Sequence, residues 1–152
     1  MSEGLAPRHP DPRVARLVAL YETLVPADLP GLRGVYAADA RFKDPFNQVQ
    51  GVAAIARIFG HMFRTLEGPR FQVISIVADG DDAVLTWDFN FRTRGAGGAA
   101  LCIHGASHLR FNPQGQVAQH RDYWDAAEEL YEKLPLLGML MRWLKRRAGG
   151  AS

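Results

Sequence analysis

At Gly68-Pro69 the spacing of apolar residues switches from a helical period of about 3.6 to a strand period of about 2, and it does not switch back until after Asp125. Upstream, Val14, Leu17, Val18, Tyr21, Leu24 and Val25 share one helical face, and Pro26 ends that run. A short second helix is expected over residues 29–38, with Leu32, Val35 and Tyr36 on one face. Residues 40–45 read as a short edge strand cut off by Pro45. Gly51 introduces a third helix with Val52, Ile55, Ile58, Phe59, Met62, Phe63 and Leu66 as its apolar stripe, stopped by Gly68-Pro69.

Downstream, residues 71–77 read as a strand buried on much of both faces, and Asp79-Gly80-Asp81-Asp82 as a hairpin turn. Leu85, Trp87, Phe89 and Phe91 then alternate with Thr86, Asp88, Asn90 and Arg92. A glycine-rich tip at residues 94–99 leads to a strand over 101–111. Asn112-Pro113-Gln114-Gly115 turns into a last strand over 117–125. Helical pieces follow over 126–134 and 136–147, divided by Pro135 and Gly138. Helices gathered ahead of consecutive strands exclude a parallel α/β sheet, which needs helices between its strands. The expected class is α+β: a cone-shaped, curved antiparallel sheet wrapped over the N-terminal helices, with an extra C-terminal helical segment.

The length of 152 residues suits one domain. Residues 1–12 read as a flexible lead-in, 13–147 as the domain including the helical segment 126–147, and 148–152 as a tail. A net charge of only +2, with Arg142, Lys145, Arg146 and Arg147 crowded together, argues against a nucleic-acid-binding surface. The single cysteine, Cys102, rules out an internal disulfide framework and fits a reducing cytoplasm, and the first residues lack the apolar run of a secretory signal. The histidines are scattered without metal-binding spacing, and Gly95-Ala96-Gly97-Gly98 joins two strands rather than opening a helix. Neither a metal nor a cofactor is expected.

The stretches Tyr36-Ala-Ala-Asp-Ala-Arg-Phe-Lys-Asp-Pro45, Gly51-Val-Ala-Ala-Ile55 and His108-Leu-Arg-Phe-Asn-Pro-Gln-Gly-Gln-Val117, in this order, resemble the nuclear transport factor 2-like superfamily. The likeness is greater to its ketosteroid isomerase and SnoaL-like branch, and it covers roughly residues 13–125. This resemblance implies a pocket for a small apolar molecule. It also implies that Asp44 matches the aspartate base of ketosteroid isomerases and that Tyr21 lies close to their oxyanion-binding tyrosine. Ser107 falls where their second acid would be, which argues against steroid isomerisation itself. SnoaL-like cyclases and limonene-epoxide-hydrolase-like members use pocket aspartates as acids or bases, an analogy that extends to Asp122.

The last strand supplies an independent signal, because alternation puts His120, Asp122 and Trp124 on one face, expected to line the cavity. A histidine and a carboxylate two residues apart can share a proton or hold a water between them. Burial among aromatic residues would favour the protonated acid. The candidate catalytic residues are therefore Asp122, His120 and Asp44, and the candidate ligand contacts are Tyr21, Trp87, Phe89, Ser107, Phe111 and Trp124. The bland readings are that His120 and Asp122 form a buried structural pair and that Asp44-Pro45 caps its own turn.

The expected function is a cofactor-independent enzyme, isomerase-, cyclase- or hydrolase-like, acting on an apolar oxygen-bearing molecule. The alternative is a non-catalytic module of the same fold that binds an apolar ligand or assembles as a homodimer. The apolar and basic run at residues 134–147 reads as a helix packed on its own domain or on a dimer partner, with a lid over the cavity or contact with an anionic membrane surface as the other options.

Overall fold

The computed structural model describes residues 6–95 and 97–129, together with Trp143 and Arg146. Helix α1 spans Pro12–Thr23 and is set by its first turn. Asp11 accepts from the Arg13 amide at 2.9 Å, and Pro12 stands where no amide is needed. The Arg13 guanidinium then reaches back to Asp11, across to Asp81 Oδ1 at 2.7 Å and to the Gly80 carbonyl at 3.0 Å. It also lies over the Phe111 ring at 4.9 Å. One side chain thus ties the start of α1 to a turn of the sheet. The Arg13 hydrogen bonds lower the Asp11 carboxyl to about 2.

The segment after α1 is a 3-10 helix over Pro26–Gly34 rather than the α-helix expected over 29–38. Pro30 lacks an amide and the Val35 amide bonds back only three residues, to the Leu32 carbonyl at 2.9 Å, so the tighter turn prevails. Strand β1 then runs over Tyr36–Lys43 and turns at Asp44–Asn47 into β2, Gln48–Gln50, which the sequence pattern had not revealed. The expected edge strand is therefore internal, paired antiparallel to β2 and parallel to the last strand. Gly51, at φ 102°, starts helix α2 over Val52–Thr65.

Strands β3 (Leu66–Asp79), β4 (Asp82–Thr93), β5 (Ala100–Phe111) and β6 (Val117–Tyr123) complete a curved, open sheet of order β2-β1-β6-β5-β4-β3. The class is α+β, as expected. Gly68-Pro69 does not stop α2 but lies inside β3, where the pairing skips both residues, and a proline is tolerated because β3 is an edge. Nor is β3 buried on both faces: Ile74 is 53% and Val77 67% exposed. A register shift after Val73 inverts the alternation, so that Phe71, Val73, Ile76 and Ala78 turn inward. Strand β6 ends at Tyr123, short of the expected Asp125, whose side chain accepts from the amides of Ala127 and Glu128 and starts α3, Ala126–Glu129. The remainder of the expected C-terminal helices lies outside the described residues.

The core sits between the inner sheet face and two helices: Val14, Leu17, Val18 and Tyr21 from α1, and Ile55 and Phe59 from α2, against Leu85, Trp87, Phe89, Phe91, Ile103, Leu109 and Val117. Asp11→Ala should cost about 1 kcal/mol through the lost cap. Because the Asp11 carboxyl is depressed, its contribution is present above the ordinary carboxylate value of 3.8 and fades as pH falls towards about 2. Urea denaturation of both proteins along that pH range should show the difference between them shrinking.

Candidate functional site

The polar centre of the core is built on β6. His120 and Asp122 stand two residues apart on its inner face, with side chains only 3% and 16% exposed. Asp122 Oδ1 lies 2.7 Å from His120 Nε2 and accepts from Ser107 Oγ at 2.5 Å. Ser107 is opposite Asp122 in the β5–β6 register and itself accepts from Trp87 Nε1 at 2.9 Å. Ser107 and His120 therefore both meet Asp122 rather than each other, so no serine–histidine nucleophile pair forms.

On the far side of the imidazole, Nδ1 is 2.7 Å from the Tyr36 hydroxyl and 3.2 Å from that of Tyr21, and the two phenol oxygens are 2.5 Å apart. With Asp122 as an accepting carboxylate, Nε2 donates and Nδ1 accepts. Whichever phenol donates to the other, the remaining phenol proton goes to Nδ1. Burial drives both phenols well above the usual tyrosine range, with the nearby Asp122 charge acting in the same direction. Among the described residues no buried side-chain nitrogen or oxygen lacks a partner.

Local sequence explains the geometry. Gly105 faces Trp87 across the β4–β5 ladder, and a Cβ there would lie 2.5 Å from the indole, so only glycine lets the ring lie flat and reach Ser107. Phe42 meets the His120 ring edge-on at 4.8 Å, and the Tyr36 ring lies nearly parallel to it, with centroids 6.0 Å apart. Tyr36 was not among the sequence-derived site residues, because the helix expected over 29–38 hid its place at the start of β1. The parallel pairing of β1 with β6 brings it to His120.

Besides an open outer cleft of about 620 Å3 that it shares with Lys43, Asp44, Arg121 and Asp125, Asp122 borders two inner spaces. One is a cavity of about 270 Å3 lined by Phe42, Phe59, Phe71, Trp87, Phe89, Phe91 and Trp124, with Met62 and Ile103. The other is a hollow of about 10 Å3 bounded by Tyr21, Ser107, His120 and Asp122 together with Phe59, Phe71, Val73 and Trp87. That is about the size of one water. Among the described residues, Asp122 and Asp44 are the charged groups lining the larger cavity, and no lysine or arginine does.

Asp44 reaches the cavity wall, but its carboxylate caps the β1–β2 turn. Oδ1 accepts from the amides of Phe46 at 2.7 Å and Asn47 at 2.6 Å, and both oxygens accept from Asn47 Nδ2. Phe111, expected at the ligand, is absent from the lining of both spaces and packs under Arg13 instead. Trp87, Phe89 and Trp124 line the larger cavity, while Tyr21 and Ser107 border the hollow.

The raised phenols set a sign for alkaline stability. They stay protonated in the folded protein while the unfolded chain ionises near 10, so their contribution is intact below pH 10 and is lost as pH rises further. Above pH 10 the folded protein should therefore lose stability progressively. Tyr21→Phe should have a shallower alkaline slope in urea-denaturation measurements, and equal slopes would contradict the burial of this pair.

A SnoaL-like domain model matches residues 17–120, a stretch that contains Tyr21, Tyr36, Trp87, Ser107 and His120 and stops just short of Asp122. Three solved structures share the fold. A ketosteroid isomerase-like protein from Catenulispora acidiphila, in complex with trimethylamine, is 18% identical with a TM-score of 0.66, covering 79% of this chain and 90% of its own. A candidate SnoaL-like polyketide cyclase from a Jannaschia species is 16% identical with a TM-score of 0.67, covering 76% and 87%. TerC, co-crystallised with polyporic acid, is 18% identical with a TM-score of 0.65, covering 77% and 94%. No curated protein matches the chain.

Proposed function

Since this chain belongs to the SnoaL-like domain family, we propose that it is a cofactor-independent enzyme in which Asp122 acts as a general base on a small, uncharged, oxygen-bearing apolar molecule. The observation that carries this reading is the asymmetry of the Asp122 carboxylate. Oδ1 is held by His120 and Ser107, whereas Oδ2 makes no hydrogen bond among the described residues and belongs to a side chain that borders both the aromatic cavity and the water-sized hollow. One oxygen is oriented and the other is left to take a proton.

The hollow bordered by Asp122 favours water activation over enolate chemistry, since it offers the base a place for a water. An enolate or a departing alkoxide would each have to find its proton or hydrogen bond outside the network. Here the Tyr21, Tyr36, Ser107 and Trp87 protons are already committed within the network. A water in the hollow would lie beside Asp122, which takes its proton as the water oxygen bonds to an electrophilic carbon of the substrate seated against the aromatic wall. The carbon–oxygen bond at that carbon breaks, and its oxygen takes a proton from bulk water, or the one Asp122 has gained. His120 Nε2–H and Ser107 O–H are positioning donors in this scheme. They fix Asp122 and offset the charge that burial would otherwise penalise. Solved structures of this fold hold trimethylamine and polyporic acid, which supports a small-molecule occupant here.

The rival reading is a cavity that binds without reaction, and it is favoured by the completeness of the network, which would serve a purely structural role equally well. Asp122→Asn separates the two. It keeps the shape and should lower turnover at least about a hundredfold while leaving ligand affinity within a few-fold. Unchanged turnover of a substrate found by screening would remove Asp122 from the chemistry.

The lining makes a second prediction. With two carboxylates and no described basic residue at the cavity, a ligand series differing only in one group should bind more weakly as the carboxylate than as the amide. Calorimetry should show at least about a tenfold gap, equivalent to about 1.4 kcal/mol. Preference for the anion would contradict the charge assignment of the cavity.

A further inference from the structure

On the outer face of the sheet, away from the cavity, a second group of chemically reactive side chains comes together. Cys102 and His104 are two residues apart on β5 and so point the same way, and the β4–β5 register puts Asp88 directly opposite His104. Asp88 Oδ1 lies 2.5 Å from His104 Nδ1, and the ligand atoms of Asp88, Cys102 and His104 all fall within 4.8 Å of one another. Glu129 of α3 adds a carboxylate alongside, its Oε2 accepting from the His104 amide at 3.2 Å.

From this juxtaposition we infer that Asp88, Cys102 and His104 form a binding site for a borderline-soft divalent cation of the zinc type. Sulfur, imidazole nitrogen and carboxylate oxygen are the donor set such an ion takes, in a tetrahedron completed by water or by Glu129. Bond lengths of about 2.0–2.3 Å place tetrahedral donors roughly 3.5 Å apart, a spacing within the range these atoms already span. The His104–Asp88 pair must open by about 1 Å to admit the ion. It is free to do so, because the two side chains are 66% and 29% exposed.

The ion takes the place of the proton between His104 Nδ1 and Asp88, which the neutral imidazole then carries on Nε2 instead. Binding also forms a metal–sulfur bond as the Cys102 thiol proton passes to the buffer. Planar or octahedral oxygen-seeking ions are a poor match for this set. The site shares no residue with the Asp122 network and does not depend on the reading of the cavity.

The test is a cobalt(II) titration of the reduced, metal-free full chain, followed by absorption. One equivalent should produce a thiolate-to-cobalt charge-transfer band in the near ultraviolet together with the strong visible bands of a tetrahedral ion. Cys102→Ser should abolish the charge-transfer band, and Asp88→Ala and His104→Ala should each weaken binding at least about tenfold, with unchanged circular dichroism. In the unmodified protein, zinc should slow alkylation of Cys102, and since the chain has one cysteine that readout is specific even if a variant folds poorly. A charge-transfer band that survives in Cys102→Ser, or an alkylation rate indifferent to zinc, would overturn the assignment.

Discussion

A carboxylate placed inside an apolar cone must be met by donors, because an uncompensated buried charge costs several kcal/mol, about 3–5 when a partner is removed. Asp122 is met by two, and much of the surrounding architecture follows from supplying them. Ser107 reaches it because β5 and β6 pair with Ser107 opposite Asp122. Trp87 reaches Ser107 because Gly105 leaves its indole room. His120 is held in one orientation because β1 runs parallel to β6 and delivers Tyr36 to the other ring nitrogen. The sheet order is thus tied to the chemistry of one side chain.

The same network decides what the site is equipped to do. Its phenol, indole and serine donors are turned inward upon each other, so the cavity wall itself is aromatic and carries negative rather than positive charge. Ketosteroid isomerase chemistry relies on a phenol and a neutral acid aimed at the substrate. Here both phenols bond to a histidine, and the Ser107 hydroxyl bonds to Asp122. The Ser107 hydroxyl thereby helps orient the Asp122 carboxylate.

The hydrophobic pattern was enough to read α1, α2, the β4 alternation, both later turns and the inward facing of His120, Asp122 and Trp124. These features depend on local period and turn residues. What it missed depended on pairing. The 3-10 segment and early start of β1 were masked because Leu32, Val35 and Tyr36 fit a helical face as well as they fit a 3-10 turn leading into a strand. Strand β2 is too short to show a period, and the inversion in β3 comes from a bulge that no residue type announces. At the site, parity identified the face of β6 but not the partner of His120, which comes from a strand far away in sequence. Asp44 was legible both as a match to a base and as a turn cap, and only the positions of the Phe46 and Asn47 amides show where its oxygens are spent. The Asp88–Cys102–His104 group had a signal, Cys-x-His on a strand, but its third member is visible only through the β4–β5 register.

In the proposed chemistry Asp122 holds one oxygen in the network and offers the other to a water beside the cavity. A high-resolution crystal structure of the protein with a neutral apolar ligand in the aromatic cavity tests it most directly. One ordered water should stand in the hollow, within hydrogen-bond reach of Asp122 and facing the ligand, with Oδ1 still bonded to His120 and Ser107. A dry hollow, or an Asp122 whose second oxygen is satisfied by another protein group and turned from the ligand, would contradict it.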